Sequence, residues 1–476
     1  MREKTSLRVC FKTVALVIAL LMTITSCSFY NVDEEINQDL IELIQNPDRS
    51  LFEGESITIA TRYPWFINPI VVAYMNMNPE INVHVTHHST VEADGPLEQI
   101  RMEMAAQLMG GSAPTLINSF LVDIFDPRQA IYFYDWQNLM NADPVFDKAE
   151  WFMNVFNAFS VDSHLYVFPL NVTYLPVVVN RTVPGLLEAV SEYSSGITLS
   201  SLLQIYDYFS EYYSFLLEST FSSAWIMHFS SERFIDIEID HVDFSEEFID
   251  FIIYADNITS PDFDDVFRDI HFLMGNVTLS TINEQNLGRR YFFQLDSNQN
   301  FWYFLDFYGD IHGFAGMIPL VNEHDELFVS ALDGFLLNAN ATPVEKAIAW
   351  DFLMFAMQPE NFPDHVHSNW YLQPPNRNLF YHLIRKSLYE SFGGNARGDY
   401  LYPWFSGTVE DAVDGVIAKM SQFAEMPMRS TSSHSRVIDR IIDDNICLFH
   451  DGLLSAQQAA DLIQNQVTLV LMEMAR

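Results

Sequence analysis

The hydrophobic period of residues 56–118 constrains this fold more than any other feature of the chain. It switches between about 2 and about 3.6 residues, the repeats of strand and helix. Ser56-Ile57-Thr58-Ile59-Ala60-Thr61 alternates with β-branched residues and predicts a strand. After Tyr63-Pro64-Trp65, Asn68-Pro69 offers an N-cap followed by proline at the first helical position. The helix is expected to run through Ile70, Val71, Tyr74 and Met75 and to stop near Asn78-Pro79. Asn82 to Thr86 predicts a second strand. Leu97 to Met109 predicts a second helix, with Ile100, Met104 and Leu108 on one face and Gly110-Gly111 as its stop. Pro114 to Asn118 predicts a third strand. A βαβαβ order implies α/β architecture, a parallel sheet with helices on both faces. Ligands of such sheets sit beyond the carboxyl ends of the strands. That rule points to Tyr63 and Trp65 after the first strand, and to Asn118 and Ser119 after the third.

Farther along, Leu165 to Asn171 and Pro176 to Asn180 read as two short strands in tandem, joined through Asn171 to Tyr174. Residues 197–272 look helical and aromatic, and strands are expected at 275–279, 314–320 and 331–337. Thr342-Pro343-Val344-Glu345 is a strong helix start: Thr can cap, Pro suits the first helical position and Glu closes a capping box. That helix carries Ile348, Phe352 and Phe355. Ser455-Ala456-Gln457-Gln458 starts the last helix with a similar box.

The N-terminus reads as an address. Arg2, Lys4, Arg8 and Lys12 precede a largely apolar run of 11 residues, Val14 to Ile24. That run suits a signal peptide and is too short to span a bilayer. It leads into Ile24-Thr25-Ser26-Cys27, which resembles a bacterial lipobox. The resemblance implies cleavage before Cys27 and acylation of its thiol, which holds a protein at a membrane without a spanning helix. An ordinary secretory signal is the alternative. Residues 28–54 are polar and acidic and are expected to be a tether, with a short helix over Asp39–Gln45.

Charge narrows the function classes. The chain has 24 Lys+Arg against 63 Asp+Glu, a formal charge of −39, which becomes −42 if residues 1–26, with four bases and one acid, are removed. Hydrophobic residues still make up 49%, too many for a disordered acidic chain. The charge and the lack of Lys/Arg clusters argue against a nucleic-acid binder. The cysteines are Cys10, Cys27 and Cys447, so an acylated mature chain has no disulfide and no zinc site built from four cysteines. Asp296 to Asn300 starts like an EF-hand loop, but Phe301 and Phe307 stand where glycine and the bidentate Glu are required. His87-His88, His365 and His367 lack metal spacing, and Phe405-Ser406-Gly407 is no nucleophile elbow. No cofactor and no metal are expected.

The ordered set of these pieces resembles the carbohydrate-type extracellular solute-binding lipoproteins of ABC importers, the maltose-binding-like class. The pieces are the lipobox, Asn-Pro-Glu-Ile-Asn-Val at 78–83, Gly-Gly-Ser-Ala-Pro-Thr-Leu-Ile at 110–117 and Tyr-Val-Phe-Pro to Val-Val-Val-Asn across 166–180. Gly-Asn-Val-Thr-Leu at 275–279, Asp333-Gly334 with its Pro343 helix, Leu372 to Arg377 and Gly452 to Gln458 complete it. Thr115, where the family often has Asp, and Leu279-Ser280-Thr281 depart from the pattern. The resemblance implies a periplasmic-binding-protein-like class II fold. Two lobes, each a mostly parallel sheet flanked by helices, enclose a ligand cleft and are joined by a hinge near Pro169 and Pro319. By position, the signal peptide is 1–26 and the anchor and tether 27–54. Lobe one is 55–169 plus 321–358, and lobe two is 170–320 plus 359–476. It further implies a monomeric non-enzyme on the outer face of a bacterial membrane, delivering a mono- or oligosaccharide to ABC permease subunits.

A sugar is bound by rings stacked on its C–H faces and by polar side chains paired with its hydroxyls. Trp65 can stack and has an N–H to donate; it can equally cap the lobe core. Tyr63 is the weaker neighbour. Asn118 and Ser119 can bind ligand or form a turn. Asn171 and Tyr174, at the crossing between lobes, can contact ligand or hold the hinge. Asp333-Gly334 combines a carboxylate with a residue that permits close approach, and a tight turn is its alternative. Trp370 and Tyr371 lie where the family places second-lobe aromatics, with core packing as the rival. Two other functions use the same residues: a surface glycoside hydrolase or glycan adhesin, which as an enzyme needs two carboxylates about 5 to 9.5 Å apart, and a receptor for a cationic ligand such as a polyamine or basic peptide.

Overall fold

A computed structural model of the protein describes residues 38–361, 373–393, 409–430 and 436–474, apart from short gaps and three longer ones at 219–233, 259–290 and 296–314. The chain enters with helix α1 (Gln38–Gln45), which buries Leu40, Leu43 and Ile44. Phe52 is also buried, so the packed body begins well before residue 55 and takes in much of the expected tether. Polar contacts reinforce this, since the Arg49 guanidinium donates to Asn78 and lies 3.2 Å from Asp351.

The βαβαβ unit is present. Strand β1 (Ser56–Thr61) pairs in parallel with β2 (Asn82–His87) on one side and with β3 (Leu116–Asn118) on the other. Helices α2 (Pro64–Met77) and α3 (Gly95–Met109) form the crossovers. α2 starts at Pro64, not at the expected Asn68-Pro69, and Pro69 lies inside it. The buried stripe explains the early start: Phe66, Ile67, Ile70, Val71 and Tyr74 share one face, and that stripe already begins before Pro69. Pro69 has no N–H to give the Trp65 carbonyl, and the packing outweighs that loss.

Next come β4 (Phe133–Tyr134), α4 (Trp136–Ala142), α5 (Met153–Ala158) and a hairpin of β5 (Ser160–Val161) with β6 (His164–Leu165). β7 (Phe168–Tyr174) and β8 (Pro176–Asn180) are the expected tandem strands. The stretch from 197 is less helical than expected. It holds β9 (Ile197–Thr198) and α6 (Leu199–Phe209), then strand β10 (Phe215–Glu218), a hairpin of β11 (Ile235–Asp236) with β12 (His241–Val242), and α7 (Glu246–Ile258). Residues 275–279 lie outside the described residues. Tyr291–Leu295 forms β13, in keeping with the preference of aromatics for pleated surfaces. β14 (Ala315–Val321) and the long β15 (Leu327–Asn338) return the chain to the first sheet.

Helix α8 (Pro343–Ala356) starts with the expected capping box, both reciprocal bonds between Thr342 and Glu345 being present, and buries Ile348, Phe352 and Phe355. Helices α9 (Arg377–Gly393) and α10 (Val409–Ala424) and strand β16 (Met428–Ser430) follow. The chain ends with α11 (Arg436–His450) and α12 (Ala456–Met474), whose start carries the reciprocal Ser455–Gln458 bonds.

The main sheet is mixed, in the order β10-β13-β8-β14-β15-β3-β1-β2. Its β3-β1-β2 end is parallel, whereas β8, β14 and β15 pair antiparallel with their neighbours along this path. Among the described residues two hydrophobic clusters pack the molecule. The first joins α1, the βαβαβ unit and α8, and also takes in Leu379, Phe380, Val413 and Phe423 from the stretch expected in lobe two. The second gathers Phe244, Phe248 and Ile252 with Ile438, Ile442, Ala460 and Ile463, uniting α7, α11 and α12. No helix among the described residues is long and apolar enough to cross a membrane.

Candidate functional site

Strand β15 is where the halves of the sheet meet, and its register locates the site. On one edge its C-terminal part pairs with β3, Phe335 opposite Asn118 and Leu337 opposite Leu116. On the other edge it pairs with β7, Ser330 opposite Thr173 and Phe335 opposite Phe168. Two register shifts interrupt the β7 ladder, and they flank Asp333. β3 ends at Asn118, where the chain turns into a short 3-10 helix at Ser119–Leu121. Among the described residues no strand pairs the β3-side edge of β15 over 330–334. Asp333 and Gly334 therefore lie just past the carboxyl end of β3, the place where sheets of this kind take their ligands.

Five of the ten candidates converge here. Asn118, Ser119, Asn171 and Asp333 are all buried, and Asp333 stands opposite Asn171 in the β7 register. Gly334 is fixed by close approach: a Cβ there would lie 2.5 Å from Val167 Cγ1 and 3.4 Å from Ser119 Oγ. The Asn118 amide is half committed. Its Oδ1 accepts from the Phe120 N–H at 3.1 Å, capping the short helix, while its Nδ2 is buried without a hydrogen-bond partner. Asn171 ties β7 to the segment around Gln373: its Oδ1 accepts from the Gln373 N–H at 2.6 Å, and the Val172 N–H donates to the Gln373 carbonyl at 3.1 Å. Gln373, itself 1% exposed, is not among the sequence candidates. The Gln373-Pro374-Pro375 run is its only sequence signal, and it points to rigidity rather than to a pairing with β7.

Asp333 is 4% exposed and its Oδ1 makes no hydrogen bond. Burial raises its carboxyl to about 7. The Asn118 amide faces it and favours the ionised form, but without meeting hydrogen-bond geometry, so it offsets only part of the burial effect. Tyr174 is buried at the end of β7, and burial, with Glu425 nearby, pushes its hydroxyl well above the usual tyrosine range. It is part of the first hydrophobic cluster.

Trp65 behaves differently. It sits in the first turn of α2, just past the end of β1, and is 51% exposed, with its ring edge-on to Phe66 at 6.1 Å. About half of it is thus open to solvent while the rest packs toward the core through Phe66. Tyr63, Trp370 and Tyr371 lie outside the described residues. So do Asp296–Asn300, His365, His367 and Ser406. No group of three His, Cys, Asp or Glu among the described residues is placed to hold a metal ion.

No protein-family model matches the chain, and no curated protein matches it. Solved structures do. The sugar-binding protein MalE from Xanthomonas citri is similar over 88% of this chain and 98% of its own, with a TM-score of 0.54 at 14% identity. An ABC substrate-binding protein from Listeria monocytogenes, solved with cycloalternan, covers 88% and 100% with a TM-score of 0.51 at 12% identity. Maltose-bound MalE3 from T. maritima covers 87% and 100% with a TM-score of 0.50 at 12% identity. Together with the mixed sheet and the strand-end site, these likenesses show that the chain has the two-lobed periplasmic-binding-protein-like fold of the ABC substrate-binding proteins.

Proposed function

We propose that the protein is a lipid-anchored solute-binding protein that captures a neutral carbohydrate between its lobes and delivers it unchanged to an ABC importer permease. The observation that carries this reading is the Asp333–Asn118 pair past the end of β3. Its buried carboxylate oxygen needs a donor and its buried amide N–H needs an acceptor, and a hydroxyl is both. A polyamine would satisfy the carboxylate and repel the amide, so the pair favours a polyol over a cation. The exposed Trp65 ring past the end of β1 offers a platform for a sugar face. Structures similar in fold include an ABC substrate-binding protein solved with cycloalternan and MalE3 solved with maltose.

The hydrolase alternative needs a second carboxylate beside the first. A close carboxylate would raise Asp333 through charge repulsion, yet among the described residues none does so, and burial raises it. Of the other buried aspartates, Asp126 and Asp135 are engaged in capping their helices, and Asp123, just past the short 3-10 helix, does not act on the Asp333 carboxyl. Binding without turnover is therefore the better reading. Calorimetry and thermal shift against maltose, cycloalternan and longer glucans test it. Saturable one-to-one binding with no new reducing ends is expected, and a panel without a single stabilising sugar refutes the carbohydrate assignment. Anchoring through Cys27, which lies outside the described residues, is tested by membrane fractionation. The protein should partition with membranes and Cys27→Ser should not.

A further inference from the structure

We infer that ligand capture at Asp333 is coupled to release of a proton: the ligand hydroxyl replaces a proton that Asp333 holds in the ligand-free protein. This rests on the site proposed above and adds to it a thermodynamic link to pH.

The geometry leaves Asp333 little else to do. It interrupts the β15–β7 ladder, is 4% exposed and has a carboxylate oxygen with no donor. An isolated buried carboxylate is costly unless it is neutralised or paired. Among the described residues no cation is near enough to act on it. The elements packed around β15 contribute Tyr174 on β7, Tyr134 on β4 with the Lys346 ammonium over its ring, and the Arg429–Glu326 pair beside β16. Around the 3-10 helix lie Arg101, which donates to the Phe120 carbonyl, and Arg62 over the Phe120 ring. Asp123, buried just past the 3-10 helix, is also close to this region, and none of these groups shifts the Asp333 carboxyl; among the described residues burial raises it and Asn118 lowers it. Before ligand arrives, protonation is the cheapest way to satisfy the site.

A ligand hydroxyl changes that balance. It donates its hydrogen to the ionised Oδ1 and accepts from Asn118 Nδ2, so the ionised form gains the charge-assisted bond that it lacked. The reaction is balanced: the carboxylic acid and the hydroxyl become a carboxylate bonded to the hydroxyl, plus one proton in solution. No covalent bond to the sugar forms or breaks.

Calorimetry with maltose and cycloalternan, in buffers of differing ionisation heat, counts the protons. Close to one proton should leave per sugar bound at about pH 6 and close to none at about pH 8.5. The Kd should weaken toward tenfold for each pH unit below about 6. Asp333→Asn should bind with no proton release and a flat pH profile over the same range. Infrared difference spectra of wild type at about pH 6 should lose a protonated-carboxyl band on sugar addition, and the variant should not. Sugar binding with no proton release in wild type, or release that persists in Asp333→Asn, overturns the inference while leaving the binding function intact. No binding of any sugar overturns the function itself. If the variant does not bind, the proton count and infrared band of wild type still decide.

Discussion

Asp333 ties stability to pH even without ligand. In an unfolded chain an aspartate ionises near about 3.9, whereas burial holds this one at about 7 in the fold. Between those values the unfolded chain has lost a proton that the folded protein keeps. This group's contribution to stability is therefore full below about pH 4, falls as pH rises toward about 7, and is flat above. Asp333→Asn removes the effect. The variant should match wild type at about pH 4 and exceed it at about pH 8 by on the order of a few kcal/mol, read as the urea midpoint. An equal difference at both pH values would show that the carboxyl does not change its protonation on folding. Gly334 makes a second, steric prediction. Gly334→Ala puts a methyl 2.5 Å from Val167 Cγ1, and overpacking of this kind costs about 1–3 kcal/mol. Adding Val167→Ala should recover part of that loss, a coupling that a double-mutant cycle measures. That Asp333, Gly334, Asn118 and Ser119 fall at one strand-end junction was legible in the sequence, because strand ends and an Asp-Gly pair are local signals. Gln373 was not, because its pairing with Val172 joins residues far apart in the chain.

Among the elements, those with local signals at both ends read most faithfully. The Thr342 box, the β-branched β1 and the Gly110-Gly111 stop are decided within a few residues, and all three stand where expected. α2 shows the limit of such reading: Asn68-Pro69 is a good start signal, yet Phe66 and Ile67 find a core to enter, and tertiary packing overrides the signal. α1 shows it more sharply. Its sequence looks like tether because its surroundings are acidic, and nothing local reveals that Leu40, Leu43 and Ile44 face α8 and α4. Burying each such side chain is worth about 1.5–3 kcal/mol. A mature chain shortened to begin at Gln38 should therefore keep the melting temperature of the mature protein. One shortened to begin at Glu55 loses those side chains, Phe52 and the Arg49–Asp351 pair, and should melt many degrees lower or fail to fold. Equal stability of the two would show that α1 is an appendage.

At the scale of the whole molecule, alternation of strands and helices made the architecture legible, while the core that each C-terminal helix packs into was not. α9 and α10 join the first hydrophobic cluster and α11 and α12 the second, a choice made by distant partners that no local pattern records. The consequence bears on function. β15 touches β3 at one end and β14 at the other, and β7 runs along it past Asp333. In the proposed function these strands, with the Gln373 bridge, form the joint on which one half turns on the other. A ligand held by Asp333 and Asn118 stays buried only if the halves close over it, and closure requires that it bind the closed form better. Small-angle scattering should then show a smaller radius of gyration on saturation with a sugar that binds. Breaking the bridge bond with Asn171→Ala should weaken binding and, by leaving the buried Gln373 N–H unpaired at a cost of about 1–3 kcal/mol, lower the melting temperature of the ligand-free protein by only a few degrees. If the sugar binds with no compaction, the halves form one rigid body and delivery by closure is wrong. If Asn171→Ala melts much lower without ligand, Asn171 is a pillar of the fold rather than part of the moving joint.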